Sequence, residues 1–272
     1  MSERELIPPH ILDRKGPRSL KDLNPEVVEY LNKGLVETKN LMEWLATDQL
    51  GLLKLVLEML DKSAWYEDFE VAVNAQKKPT ANSNTKVIGE TLGLLTSDEK
   101  IYNRLNAHTS DLVRCWACWA QSTHHDSVPE LLKAIKPYAA DTHFGVREVV
   151  IFATKERMMT DLDTSVELLT EWTTSNDENV RRFAAESMRP IGVWTKKIPA
   201  FQEDPAKALS ILNPLKSDAS KYVRDAVANW LNDASKSQPD WVTAQCTQWK
   251  KESDTKETAY IIKRGMRTIL KK

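Results

Sequence analysis

The chain has 272 residues, 41% of them apolar and 28% charged, with a formal net charge of −1. Three cysteines are too few, and odd in number, for a disulfide framework, so a reducing compartment is expected. The balanced charge excludes a uniformly basic surface, and any nucleic-acid binding requires cations gathered on one face. No run of about 18 apolar residues could span a bilayer, and Met1-Ser2-Glu3-Arg4-Glu5 is too acidic for a signal peptide. A cytoplasmic protein without a membrane partner is the expectation.

Taken in chain order, residues 1–24 carry Pro8, Pro9, Gly16 and Pro17, with Pro25 following, and read as an arm or loop. Apolar residues at helical spacing predict helices over residues 26–45, 48–61 and 65–77, then a loop over 78–84 (Lys-Pro-Thr-Ala-Asn-Ser-Asn). Only eight glycines occur, and no stretch alternates β-branched and polar residues, so the fold class expected is all-α.

From residue 111 a box recurs: a polar start, Val-Arg, then a small or β-branched residue four after the Val. Its copies are Val113-Arg114 to Ala117, Val146-Arg147 to Val150, Val180-Arg181 to Ala184 and Val223-Arg224 to Val227. The Arg positions 114, 147, 181 and 224 are 33, 34 and 43 residues apart, which suits one helical hairpin per period. Each box helix has an apolar stripe, as in Val223, Ala226, Val227, Trp230 and Leu231, and the residues between, such as 165–172 and 206–215, supply its partner. Neither helix of a hairpin can bury its stripe alone. The hairpins must therefore stack into an α-solenoid of HEAT-like repeats with a concave face, expected as a single domain over residues 25–272. Asp111, Asp177 and Ser220 stand where a side-chain oxygen can cap the first turn. The box arginines, Arg114 and Arg147 first among them, are expected to pair with acids of a neighbouring repeat.

Cys115-x-x-Cys118 followed by His124 and His125 gathers metal-ligand types, but the cysteines lie on an apolar helix beside Trp116 and Trp119 without the spacing of a zinc finger. Buried thiols are expected, with no metal and no cofactor. Residues 250–272 hold eight Lys or Arg against three acids, a charge run that commonly forms a solvated helix face.

Three segments go beyond a generic repeat: Asn179-Val180-Arg181-Arg182-Phe183-Ala184-Ala185-Glu186-Ser187-Met188-Arg189-Pro190-Ile191-Gly192-Val193-Trp194, then residues 222–236 from Tyr222 to Lys236, then 261–272 from Ile261 to Lys272. Their order and spacing resemble the bacterial DNA alkylation repair glycosylases of HEAT-like repeats, the AlkC branch more than AlkD, over about residues 141–272. The resemblance implies excision of cationic N-alkylated purines such as 3-methyladenine from double-stranded DNA held by its backbone, by a monomer. It implies Asp233 as the catalytic carboxylate and Trp194 as the aromatic wall facing the lesion. A carboxylate and an aromatic face suffice because the base already leaves as a cation-derived neutral group. Arg182 and Arg189 are candidates for phosphate contact, and Lys236, Lys263, Arg264 and Arg267 for the groove wall. Glu186 resembles a family acid in the same helix, although a salt bridge to a neighbouring Arg is its commoner fate.

The pattern departs at His143-Phe144-Gly145-Val146-Arg147, where the AlkC-like pattern begins with Glu. A His cannot supply that negative charge. Glu148, about 140° further round a helix, is a weak substitute. Two other functions fit the same fold: a non-catalytic binder of damaged or branched DNA, and a protein-interaction scaffold.

Overall fold

A computed structural model describes residues 7–192 and 195–271, and every regular element among them is helical. Seventeen α-helices follow in order: α1 Pro9–Leu12, α2 Pro25–Asn32, α3 Leu41–Ala46, α4 Gln49–Met59, α5 Tyr66–Asn74, α6 Ala81–Leu95, α7 Glu99–Asn106, α8 Asp111–Thr123, α9 Val128–Ala139, α10 Phe144–Thr160, α11 Leu162–Trp172, α12 Glu178–Glu186, α13 Pro199–Glu203, α14 Leu209–Leu212, α15 Lys221–Ala234, α16 Pro239–Glu252 and α17 Lys256–Gly265. They form two compact units. One holds the residues up to His124 with His143–Val149, the other His125–Thr142 with Val150–Lys272. No helix among the described residues is long and apolar enough to cross a membrane.

The box explains the helices it opens. Val113, Ala117, Val146, Val150, Val180, Ala184, Val223 and Val227 are all buried, so the conserved spacing inside the box is a packing stripe. The arginine does a second job. Its Nη1 donates to the two carbonyls six and five residues upstream, in Arg114 to His108 and Thr109, in Arg181 to Ser175 and Asn176, and in Arg224 to Asp218 and Ala219. These three box arginines thus clip the incoming loop onto their own helices. The expected acid partner is also present for Arg114, which reaches Glu37 at 2.6 Å, and for Arg181, which grips both oxygens of Asp218.

In the first unit α6 lies almost in backbone contact with α8. A Cβ on Gly89 would sit 2.3 Å from Cβ of Trp119 and 2.8 Å from the Trp116 carbonyl, and one on Gly93 would sit 2.9 Å from the Ala120 carbonyl. Gly89→Ala is therefore expected to destabilise the protein by about 1–2 kcal/mol in denaturant titration. Overpacking of about 1–3 kcal/mol opposes a helix-propensity gain of about 1 kcal/mol. In the second unit α12, α15 and α17 pack in succession and α11 packs on α14, around Phe183, Trp230, Trp249 and Phe201.

Several expectations need correction. The helix predicted over residues 26–45 is two helices, because Gly34 takes a positive φ of 68° after α2, a conformation other residues rarely adopt. Of the predicted loop 78–84 only the first part is loop: Thr80 and Ser83 cap each other and start α6 at Ala81. The segment over 206–215 is a short 3₁₀ turn followed by α14. The N-terminal arm is docked, with Ile7 and Ile11 buried in one cluster with Val27, Leu31 and Val36. Asp177 and Ser220 cap as expected, accepting from Asn179 and Tyr222. Asp111 does not; its carboxylate turns inward and accepts from the N–H and hydroxyl of Thr38. Cys115, Cys118 and Cys246 are buried thiols.

Candidate functional site

The second unit assembles a charged cluster where two box helices end. Pro190 disfavours helical backbone at Arg189, so α12 stops at Glu186 and the chain turns at residues 187–190. The indole of Trp230 fixes the turn by donating to the Met188 carbonyl at 2.8 Å. From the turn Arg189 reaches the last turn of α15, where Asp233 is only 2% exposed.

The two oxygens of Asp233 are held in different ways. Oδ2 accepts from Nε of Arg189 at 2.8 Å and lies in ion-pair contact with its Nη2 at the same distance, and Arg189 is itself buried. Oδ1 accepts from Nζ of Lys236 at 3.0 Å, and the Lys236 side chain is 45% exposed. The third arm of Arg189, Nη1, donates to Glu186 Oε1 at 2.7 Å. Burial pulls the Arg189 pKa down, but Glu186 and Asp233 together raise it above its ordinary value. One oxygen is fixed by a buried guanidinium; the other is covered by a flexible surface lysine, in a pairing worth about 1 kcal/mol or less.

A residue the sequence reading did not single out completes the cluster. Lys155 of α10 is 2% exposed, and its Nζ donates to the Arg189 carbonyl at 3.0 Å. Burial and the nearby Arg189 charge push its pKa down to about 8, against the opposing pull of Glu186 and Asp233. A signal was available. Lys155 lies four residues after Ile151 and three before Met158, both buried, so a lysine occupies a position of the apolar stripe.

The remaining candidates fall in three places. Arg267 donates to Asn229 on α15, and burial together with the Arg264 and Arg189 charges lowers its pKa, so it belongs to the margin of the cluster. Arg264 contacts Asp225 and lies over the Tyr260 ring at 5.4 Å, Arg182 is buried against Tyr222 at 4.7 Å, and Lys263 is exposed. His143 belongs to the first unit. Its Nε2–H donates to the Thr38 carbonyl at 2.7 Å, and its Nδ1 accepts from the Gly145 N–H and lies 3.3 Å from Asp111. These bonds hold the first turn of α10 and account for a buried imidazole without any reaction. Glu148 is part-buried on the same helix. Trp194 lies outside the described residues.

Residues 150–254 match the model of a family described as DNA alkylation repair enzyme. An uncharacterised protein of Bacillus subtilis, YhaZ, is 38% identical over 140 residues, which are 52% of this chain and 38% of YhaZ. The chain therefore spans well under half the length of that relative. Among solved structures, the Pseudomonas fluorescens alkylpurine DNA glycosylase AlkC, bound to DNA containing an abasic site analog, superposes with a TM-score of 0.68 at 21% identity, over 94% of this chain and 66% of AlkC. AlkD2 of Streptococcus mutans follows with a TM-score of 0.57 at 26% identity, over 74% of this chain and 95% of AlkD2. The resemblance read from the sequence is borne out: the second half carries the DNA alkylation repair pattern, and the fold is the helical-repeat fold of the AlkC and AlkD type.

Proposed function

We propose that the chain is a DNA glycosylase of alkylation repair, acting in the cytoplasm on duplex DNA and hydrolysing the bond between deoxyribose and a cationic N-alkylated purine such as 3-methyladenine. The observation that carries the reading is the buried Asp233, anchored through one oxygen and open to exchange at the other. As the N-glycosidic bond lengthens, positive charge develops on the sugar. A preorganised carboxylate beside C1′ stabilises that charge or orients the attacking water. Arg189 keeps Asp233 in place, and Glu186 keeps Arg189 in place. Trp194 is the aromatic wall in this reading, on the strength of the resemblance alone. Lys236, Lys263, Arg264, Arg267 and Arg182 are proposed contacts for the DNA backbone, and the acting species is proposed to be a monomer.

Duplex containing 7-methylguanine or 3-methyladenine should release free base when incubated with the protein. Asp233→Asn keeps the shape and removes the charge, and should lower single-turnover release by about a hundredfold or more. Full release by that variant would remove Asp233 from the mechanism.

Lys236 has two partners in this reading, Asp233 in the free protein and a phosphate in the complex. Lys236→Met is expected to weaken duplex binding and to lower the slope of log Kd against log salt by about 1, with kcat unchanged or raised because Oδ1 is already uncovered. A fall in kcat at unchanged affinity would place Lys236 with the chemistry instead. The second reading, damaged-DNA binding without hydrolysis, draws on the same cluster, since cations cover both oxygens of the carboxylate. Salt-sensitive duplex binding without base release would select it.

A further inference from the structure

Burying a lysine costs free energy unless a carboxylate compensates it. The ammonium of Lys155 is bonded to a main-chain carbonyl, and among the described residues no carboxylate closes an ion pair with it. Isoleucine or methionine would fill the stripe between Ile151 and Met158 at no such cost. The position gains one thing from a lysine, a donor long enough to reach from α10 to the backbone of the turn that follows α12.

That bond falls on a sensitive carbonyl. Arg189 is the residue whose side chain grips Asp233, and its own carbonyl is the atom Lys155 holds. The Met188 carbonyl, one residue earlier, is held by Trp230. Two consecutive peptide groups are thereby pinned from two helices, and the Cα of Arg189 lies between them. Space at the next bend is equally tight: a Cβ on Gly192 would come within 3.2 Å of the Lys155 amine.

We propose that Lys155 is a positioning residue of the Asp233 site: it holds the Arg189 carbonyl and so sets the turn from which the Arg189 guanidinium grips the carboxylate. The inference rests on the glycosylase reading for its effect on rate, but its structural content is independent of that reading. The charged groups facing the amine are Glu186 from the end of α12, Arg189 from the turn after it and Asp233 from α15; burial, aided by Arg189 and opposed by the two carboxylates, brings the amine down to about 8. The charged form binds the carbonyl more strongly than the neutral amine does. Grip on the turn therefore weakens as pH rises through that range.

The test compares wild type, Lys155→Met and Lys155→Gln in the full chain, the Gln variant keeping an N–H donor one atom shorter. Three quantities are read: single-turnover base release from 7-methylguanine duplex between pH 6.5 and 9.5, Kd for an abasic-analogue duplex, and hydrogen exchange of the Arg189 Nε–H by NMR. The expected result for Lys155→Met is a rate at least tenfold lower at unchanged Kd, loss of the alkaline fall that wild type shows near pH 8, and Nε–H exchange at least tenfold faster. Lys155→Gln should recover part of both losses. The proposal is overturned if Nε–H exchange is unchanged, or if rate and thermal stability fall together so that the loss is merely one of folding. Should wild type itself release no base, the glycosylase reading fails, and the Nε–H exchange of the same variants still decides whether Lys155 positions Arg189.

Discussion

Arg189→Met should lower the stability of the protein by about 3–5 kcal/mol, the range expected when one partner of a buried ion pair is removed. The cost does not come from the lost contact itself but from what remains. Asp233, 2% exposed, would be left as a buried carboxyl group without the guanidinium that holds its Oδ2, and Glu186 would lose the donor to its Oε1. Lys236 cannot compensate fully, because it covers the other oxygen and is itself 45% exposed. Denaturant titration at pH 7 gives the loss. Adding Asp233→Asn to Arg189→Met should restore roughly half of it, since a neutral amide tolerates the vacant site better than a carboxylate does. A loss below about 1 kcal/mol, or strictly additive effects of the two substitutions, would show that Asp233 does not depend on Arg189 in the folded protein. Base release by Arg189→Met should fall as well, because the remaining carboxylate has no fixed orientation.

The parts of the fold that were legible in the sequence are those set by local spacing. The Val-Arg box repeats at hairpin-like intervals, and its apolar positions and two of its three proposed caps are where the pattern puts them. The third cap failed for a reason no local rule contains. Thr38, 73 residues away, offers Asp111 two buried donors, and they outcompete the first-turn N–H groups. The long first helix failed at Gly34, a single glycine that helical periodicity tolerates but whose positive φ ends α2. The site divides in the same manner. Asp233 and Glu186 are singled out through resemblance, and a salt bridge from Glu186 to a neighbouring Arg is expected; Arg189, expected at a DNA phosphate, instead turns inward to Glu186 and Asp233. The bond from Arg189 to Asp233 spans 44 residues, and that from Lys155 to the Arg189 carbonyl spans 34, so neither leaves a local trace beyond a charge in an apolar stripe.

That misplaced charge also makes a quantitative demand on stability. The Lys155 pKa is about 8 in the folded protein against an ordinary 10.5. The unfolded chain therefore binds more protons than the folded one between these values, and stability rises with pH across that window. Below pH 8 the amine is charged in both states and the full burial penalty is present, about 3 kcal/mol at about 1.4 kcal/mol per pKa unit. Lys155→Met removes the penalty but leaves the Arg189 carbonyl without its donor, at a cost of about 1 kcal/mol. The variant should accordingly be more stable than wild type by about 2 kcal/mol at pH 7, and the advantage should shrink as wild type gains stability above pH 8. The two curves should cross near about pH 10, above which the neutral amine keeps its hydrogen bond without the charge and wild type becomes the more stable. Paired denaturant titrations at pH 7, 8.5 and 10 measure the difference directly, and other titrating groups cancel between the two proteins. A methionine variant less stable at pH 7, with a difference that does not vary with pH, would mean that the ammonium is compensated in the fold. A variant that gains stability while losing activity would instead identify Lys155 as a residue retained for function at the expense of folding.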